Sequence, residues 1–94
     1  MENKNVIINN QTTSYFELAI ACLKSNATRG ITIGQMRDQI KIIDLLEDSQ
    51  NAIVRDISLT PSQLSIIIKS VEEMQWAVMD RNLVDFYDYI QGLK

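Results

Sequence analysis

The sequence predicts a mainly α-helical domain, a compact bundle of about four helices. Two observations support this fold class. Apolar residues recur at helical spacing in four segments, and N-terminal capping residues precede three of these segments as capping boxes. The 94 residues, 46% of them apolar, have room for one hydrophobic core. We therefore expect a single helical domain over residues 13–94, preceded by an N-terminal tail over residues 1–12.

The first helix is predicted over residues 14–24. Ser14 and Glu17 have the spacing of a capping box, in which each side chain binds a backbone N–H group of the other residue. Apolar side chains cover nearly the whole circumference, which is typical of a helix that is buried or shared with a partner chain. Phe16 and Ile20 lie off any single core stripe of this helix.

The second helix is predicted over residues 33–48, with Thr32 and Gln35 as its capping box. Four apolar residues at helical spacing form its predicted core face: Met36, Ile40, Ile43 and Leu46. Ile42 and Leu45 lie outside this face, so they are expected at the surface of a monomer.

The third helix is predicted over residues 61–78, because Thr60 has the character of an N-cap and Pro61 is favoured at the first helical position. The predicted core stripe has six members: Leu64, Ile67, Ile68, Val71, Met74 and Val78. Ile66 and Trp76 fall outside this stripe, and Trp76 is then expected at the edge of the bundle.

The fourth helix is predicted over residues 81–91, with Asp80 as its N-cap. Its apolar face has four members: Leu83, Phe86, Tyr87 and Ile90. Val84 and Tyr89 lie off that face.

Two short segments with alternating apolar and polar residues, 31–33 and 57–59, precede the second and third helices. They predict two very short extended segments that pair beside the helices, although a chance match explains such short segments equally well.

Composition excludes most kinds of catalytic site. The chain has no His, which removes imidazole-based metal sites and acid–base triads. The single Cys excludes an internal disulfide and a multi-Cys metal site, and no glycine-rich phosphate loop is present. The carboxylates follow helical spacing on polar faces, as solvated side chains do. We expect no enzymatic activity, no cofactor and no metal.

Charge and hydropathy limit the partners and the location. The net charge of −3 disfavours a nucleic-acid partner. No apolar run is long enough for a signal peptide or a membrane span, so we expect an intracellular protein without membrane contact. Cys22 lies within an apolar pattern and is expected to be a buried, unreactive thiol.

Surplus apolar surface is the most informative feature of the sequence. The predicted core stripes leave several apolar residues uncovered in a monomer, and such patches mark interaction sites. The candidate interface residues are Ile42, Leu45, Ile66, Trp76, Val84 and Tyr89. The alternative is that Val6–Ile8 of the tail covers some of them. The basic excess up to Ile42 and the acidic excess after it favour a head-to-tail contact between copies.

Residues 30–47, with 57–59 and 71–77, resemble small uncharacterised helical proteins of tailed bacteriophages and prophages. The resemblance extends loosely over residues 30–90. It consists of a Met-Arg pair, a helix end at Leu-Glu and a later Trp-Ala pair: Met36-Arg37, Leu46-Glu47 and Trp76-Ala77. It implies a small helical accessory protein of virion assembly or host manipulation, in the cytoplasm of a bacterial host or in the virion. It transfers no site residues.

Three functions are consistent with these observations. The first is a non-enzymatic protein–protein interaction module, a small phage accessory or assembly protein that self-associates or docks on larger phage proteins. The second is a phage-encoded inhibitor that binds a host enzyme or defence protein. The third is a helix-turn-helix regulator whose recognition helix begins near Gly34, but the outward face of that helix is only weakly basic.

Overall fold

Four helices and one two-stranded sheet make up the fold in the computed structural model, which describes residues 1–94. The elements in chain order are β1 (Asn5–Ile8), β2 (Gln11–Ser14), α1 (Tyr15–Ala27), α2 (Ile33–Asn51), α3 (Pro61–Glu73) and α4 (Arg81–Gln91). The predicted mainly-α fold with four helices and a short pair of strands is confirmed. Helix α1 packs against both α2 and α3, and α4 packs against α3 and β1.

The two strands lie at a different place from the predicted pair. β1 and β2 form an antiparallel hairpin in which Asn5 is opposite Ser14 and Ile8 is opposite Gln11. Asn9 and Asn10 form its turn with φ values of 51° and 64°, the left-handed conformation that two-residue hairpin loops require and that Asn tolerates. The predicted pairing of residues 31–33 with 57–59 is therefore wrong.

The first residues of the chain pair with the segment that precedes α3. The Asn3 N–H donates to the carbonyl oxygen of Arg55 at 2.7 Å, and the Ile57 N–H donates to the carbonyl oxygen of Met1 at 3.0 Å. Met1 and Asn3 are buried. The segment around Ile57, which was predicted to be extended, thus pairs with the N-terminus. Thr32 is instead the N-cap of α2, and Ile33 is the first residue of that helix.

The helix starts agree with their capping residues, with one difference. Thr32 and Thr60 make complete capping boxes with the glutamine three residues later. At α1 only half of the predicted box forms. Ser14 Oγ accepts from the Glu17 N–H at 3.3 Å, but the Glu17 carboxylate accepts instead from Thr13 Oγ1 at 3.0 Å. The neighbouring strand offers a hydroxyl donor that competes for the Glu17 side chain.

The core face of α2 differs from the predicted one. Met36 and Ile40 are 40% and 49% exposed, whereas Ile42, predicted to lie outside the face, is 1% exposed. Leu46 of the predicted face is fully buried, and Ile43 is half-buried. α2 has two apolar stripes at helical spacing, and periodicity does not distinguish the one that packs on α1. The buried core consists of Met1, Tyr15, Phe16, Leu18, Ala19, Ile20, Cys22, Leu23, Ile42, Leu46, Leu64, Ile67, Ile68, Val71, Leu83, Phe86 and Ile90.

Helix α3 ends at Glu73, well before the predicted end at Val78. Met74 has extended backbone angles, φ −67° and ψ 132°. In the following loop Met74, Trp76 and Val78 are half-buried, and the residues between them are exposed. The exposure thus alternates with a period of two, although the chain bends at Ala77 and Val78. Because Met74 and Val78 also fit helical spacing, the sequence did not distinguish a helix that continues to Val78 from a loop that begins at Met74.

Candidate protein interface

An open apolar groove lies between the end of α3, the start of α4 and the loop that joins them. Its volume is about 350 Å³, and its six lining residues are Val71, Glu72, Trp76, Leu83, Val84 and Tyr87. Five of the six are hydrophobic. Val71 and Leu83 belong to the core, whereas the Val84 side chain is 57% exposed at the groove. The groove is thus an opening at which core side chains meet solvent.

Local hydrogen bonds fix the start of α4 and hence one wall of the groove. Asp80 is the N-cap, and its Oδ1 accepts from the Asn82 N–H at 2.9 Å. The Asn82 Nδ2 donates to the carbonyl oxygen of Ile7 at 2.7 Å, and Asp80 Oδ2 accepts from the Asn9 N–H at 3.4 Å. The hairpin therefore holds the N-terminus of α4, and the loop after α3 places Trp76 along the same groove as Leu83 and Val84.

The structure brings two of the six predicted interface residues together. Trp76 and Val84 line the groove, and the sequence did not predict their proximity because it extended α3 through Trp76. Ile42 is a core residue of α2 rather than a surface residue, so its assignment to the surface is corrected. Leu45 and Ile66 are half-buried elsewhere, and Ile66 lines a separate polar cavity.

Tyr89 has partners within the chain. Its ring centroid lies 5.3 Å from that of Tyr15, and its hydroxyl oxygen accepts a hydrogen bond from the Glu2 N–H at 2.8 Å. Tyr89 is half-buried in this arrangement. Its aromatic face therefore packs against the start of α1, and its hydroxyl group attaches the N-terminal segment to α4.

A second apolar surface was missed by sequence reasoning. Ile33, Met36 and Ile40 are exposed on α2, and their spacing places them in one row along the helix. We call this row the α2 ridge. The sequence assigned Met36 and Ile40 to the core because their spacing suits a buried stripe equally well. Ile42 and Leu46 are the buried apolar residues of α2 instead, and periodicity alone does not decide between the two rows.

The two apolar surfaces differ in the charged residues that lie beside them. Arg37 and Lys41 follow Met36 and Ile40 along the N-terminal half of α2, so they stand beside the α2 ridge. Glu72 lines the groove. Asp88 lies one turn after Val84 on α4 and is exposed. The α2 ridge is therefore flanked by two cations, with the Asp44 carboxylate one turn after Ile40. The groove is bordered by two carboxylates, with the Arg81 cation one turn before Val84.

The remaining reactive groups are in unreactive surroundings. Cys22 is fully buried, and desolvation raises the pKa of its thiol from 9.0 to about 12. Burial, followed by the nearby Asp85 carboxylate, raises the pKa of the Tyr15 hydroxyl.

No three His, Cys, Asp or Glu side chains are grouped closely enough to hold a metal ion. None of the four helices combines the length and hydropathy that a bilayer crossing requires.

Comparisons with protein-family models, with curated proteins and with solved structures found no match to this chain.

Proposed function

We propose that the protein is a non-enzymatic interaction module that assembles head to tail. In this proposal the α2 ridge of one copy enters the α3–α4 groove of the next. The observation that supports it is the complementarity of two separate surfaces on one chain. One is a convex apolar row flanked by Arg37 and Lys41, and the other is a concave apolar groove flanked by Glu72 and Asp88.

Helix-in-groove recognition is a common way to join two proteins. An amphipathic helix places apolar anchors at i, i+3 and i+7 into a hydrophobic groove. Ile33, Met36 and Ile40 have this spacing. Trp76 and Tyr87 offer the aromatic surface that is enriched among interface anchors. Opposite charges at the rim favour encounters in the correct orientation more than they add affinity.

The proposed contact joins two different surfaces, so it is heterologous. Such contacts build a ring when the rotation between copies closes, and an open filament when it does not. This behaviour suits a small phage accessory or assembly protein in the cytoplasm of a bacterial host or in the virion, which is the role that the resemblance of residues 30–90 implies. The same groove suits docking on a larger phage protein that presents an apolar helix with basic flanks.

Sedimentation velocity over a range of concentrations tests this proposal. The wild-type chain is expected to form species larger than a monomer, and the fraction of protein in these species should grow with protein concentration. Met36→Asp in the α2 ridge and Val84→Asp in the groove should each reduce the share of assembled protein, because each places a carboxylate in an apolar contact. Ile53→Asp is the matched control, since Ile53 is 78% exposed and belongs to neither surface.

A chain that remains monomeric at every concentration would contradict self-assembly. If the same monomer captured a host enzyme or a defence protein, the inhibitor function would replace the assembly function. In that case Val84→Asp, but not Met36→Asp, should abolish capture if the groove is the binding surface.

A further inference from the structure

The four methionines of the chain differ in their surroundings. Met1 is buried, and Met74 is half-buried against the core. Met79 is fully exposed in the loop after α3 and belongs neither to the groove lining nor to the α2 ridge. Met36 is 40% exposed and is the middle residue of the α2 ridge. Met36 is therefore the one methionine that is open to solvent and also belongs to a surface proposed for assembly.

The Met36 side chain is the part of the α2 ridge that a mild oxidant can change. Its neighbours in the row, Ile33 and Ile40, have hydrocarbon side chains without a sulfur atom. A peroxide converts an accessible thioether into a sulfoxide. With hydrogen peroxide, the sulfur lone pair forms the S–O bond, the O–O bond breaks, and a proton moves to the leaving oxygen, which departs as water. The sulfur is oxidised by two electrons, and the peroxide is reduced.

We propose that oxidation of Met36 by hydrogen peroxide reversibly prevents the α2 ridge from entering the groove. This inference rests on the proposed function, because it requires the head-to-tail contact. The sulfoxide is polar, and five of the six residues that line the groove are hydrophobic. The sixth is Glu72, whose carboxylate accepts hydrogen bonds and donates none. It cannot pair with a sulfoxide oxygen, which is also an acceptor, so the oxidised side chain loses hydration on entering the groove.

The oxidation acts on free copies of the chain. A ridge that is seated in a groove is covered, so assembly protects the Met36 sulfur from the oxidant. An oxidised copy retains its own groove and can still receive the ridge of an unoxidised copy. Complete oxidation is therefore required to abolish assembly, and it is reversible because methionine sulfoxide reductases restore the thioether.

A time course of oxidation of the full chain with hydrogen peroxide tests the switch. The protein is treated at low concentration, where free copies predominate, and the peroxide is removed before the protein is concentrated. Peptide mass spectrometry measures the sulfoxide at Met36 and at Met79, and sedimentation velocity measures assembly. The affinity between copies should fall at least about tenfold on full oxidation. The loss should follow the Met36 sulfoxide rather than the Met79 sulfoxide, and methionine sulfoxide reductase should restore assembly.

Met36→Gln provides a second test without an oxidant, because it places a neutral polar group on a side chain of similar length. It should weaken assembly in the same direction as oxidation does. Met79→Gln is the matched control and should leave both assembly and the response to peroxide unchanged. Circular dichroism checks that the oxidised chain and both variants keep their helix content.

Two results would overturn the switch while the proposed function stands. One is an untreated chain that assembles and a chain with fully oxidised Met36 that assembles equally well. The other is a loss of assembly that follows the Met79 sulfoxide. An untreated chain that remains monomeric would instead refute the proposed function, and the switch with it.

Discussion

Asn3 caps α1 from outside the helix. Its side-chain Oδ1 accepts a hydrogen bond from the Phe16 backbone N–H at 3.0 Å in a buried setting. Phe16 is the second residue of α1, and its N–H is one of the donors that no intrahelical carbonyl can satisfy. Ser14 Oγ accepts a hydrogen bond from the next such donor, the Glu17 N–H group. The N-terminal segment therefore completes the start of the central helix.

Asn3→Ala should lower the free energy of unfolding by about 1–3 kcal/mol, because it leaves the buried Phe16 N–H without an acceptor. A urea melt followed by circular dichroism measures the change. Asn5→Ala is the matched control, since Asn5 is exposed on β1 and none of the side-chain hydrogen bonds involves it. Equal effects of the two substitutions would show that the contact with Phe16 contributes nothing.

Ile53 has a backbone conformation that is unfavourable for its type. It follows the end of α2 with φ 59°, and the Ile53 and Val54 N–H groups donate to the carbonyl oxygens of Gln50 and Ser49. This is the helix-ending motif that usually has glycine at the left-handed position. Ile53→Gly should therefore raise the free energy of unfolding by about 1 kcal/mol. The 78% exposure of Ile53 means that little packing is lost; a lowered urea midpoint would contradict this.

Stability should fall at alkaline pH because Cys22 is buried. An unfolded thiol loses its proton above pH 9.0, whereas folded Cys22 retains it up to about 12. Between these values the unfolded state binds fewer protons, so the free energy of unfolding decreases by up to about 1.4 kcal/mol per pH unit. Urea melts at successive pH values measure this decrease in the free energy of unfolding. Cys22→Ala should remove the part of the decrease that comes from the thiol. The raised pKa of Tyr15 acts in the same direction and remains in both proteins.

Trp76→Ala should weaken self-association by about 2 kcal/mol or more, as the loss of an aromatic interface anchor does. Trp76 also packs against the core, so the urea midpoint should fall as well. Tyr89→Phe is the comparison variant, because it removes only the hydroxyl that accepts from Glu2. It should lower stability slightly and leave sedimentation unchanged. Unchanged association of Trp76→Ala, with stability lowered alone, would assign Trp76 to the core.

Local sequence signals predicted the starts of the helices well. Thr32, Thr60 and Asp80 cap their helices as expected, because capping depends on side chains only two or three residues away. Helix ends were less predictable. No glycine or proline stops α3 after Glu73, and its end is decided by packing of Met74, Trp76 and Val78 against the core.

Long-range contacts explain the errors at the candidate site. α2 has two apolar stripes, and only its packing against α1 shows that Ile42 is buried and that Ile40 is exposed. The groove forms only because the loop after α3 folds back beside α4, which the sequence did not predict. Trp76 and Val84 were therefore identified as surplus apolar residues, but not as neighbours. The turn at Asn9 and Asn10 was a local signal for the hairpin that sequence reasoning missed.

Mixing the two assembly variants tests the head-to-tail contact most directly. Met36→Asp retains an intact groove, and Val84→Asp retains an intact α2 ridge. Head-to-tail assembly predicts that each variant alone sediments as a monomer. An equimolar mixture should form dimers and nothing larger, because only one productive contact exists between the two variants. A mixture that remains monomeric, or either variant alone that assembles as the wild type does, would contradict the head-to-tail account.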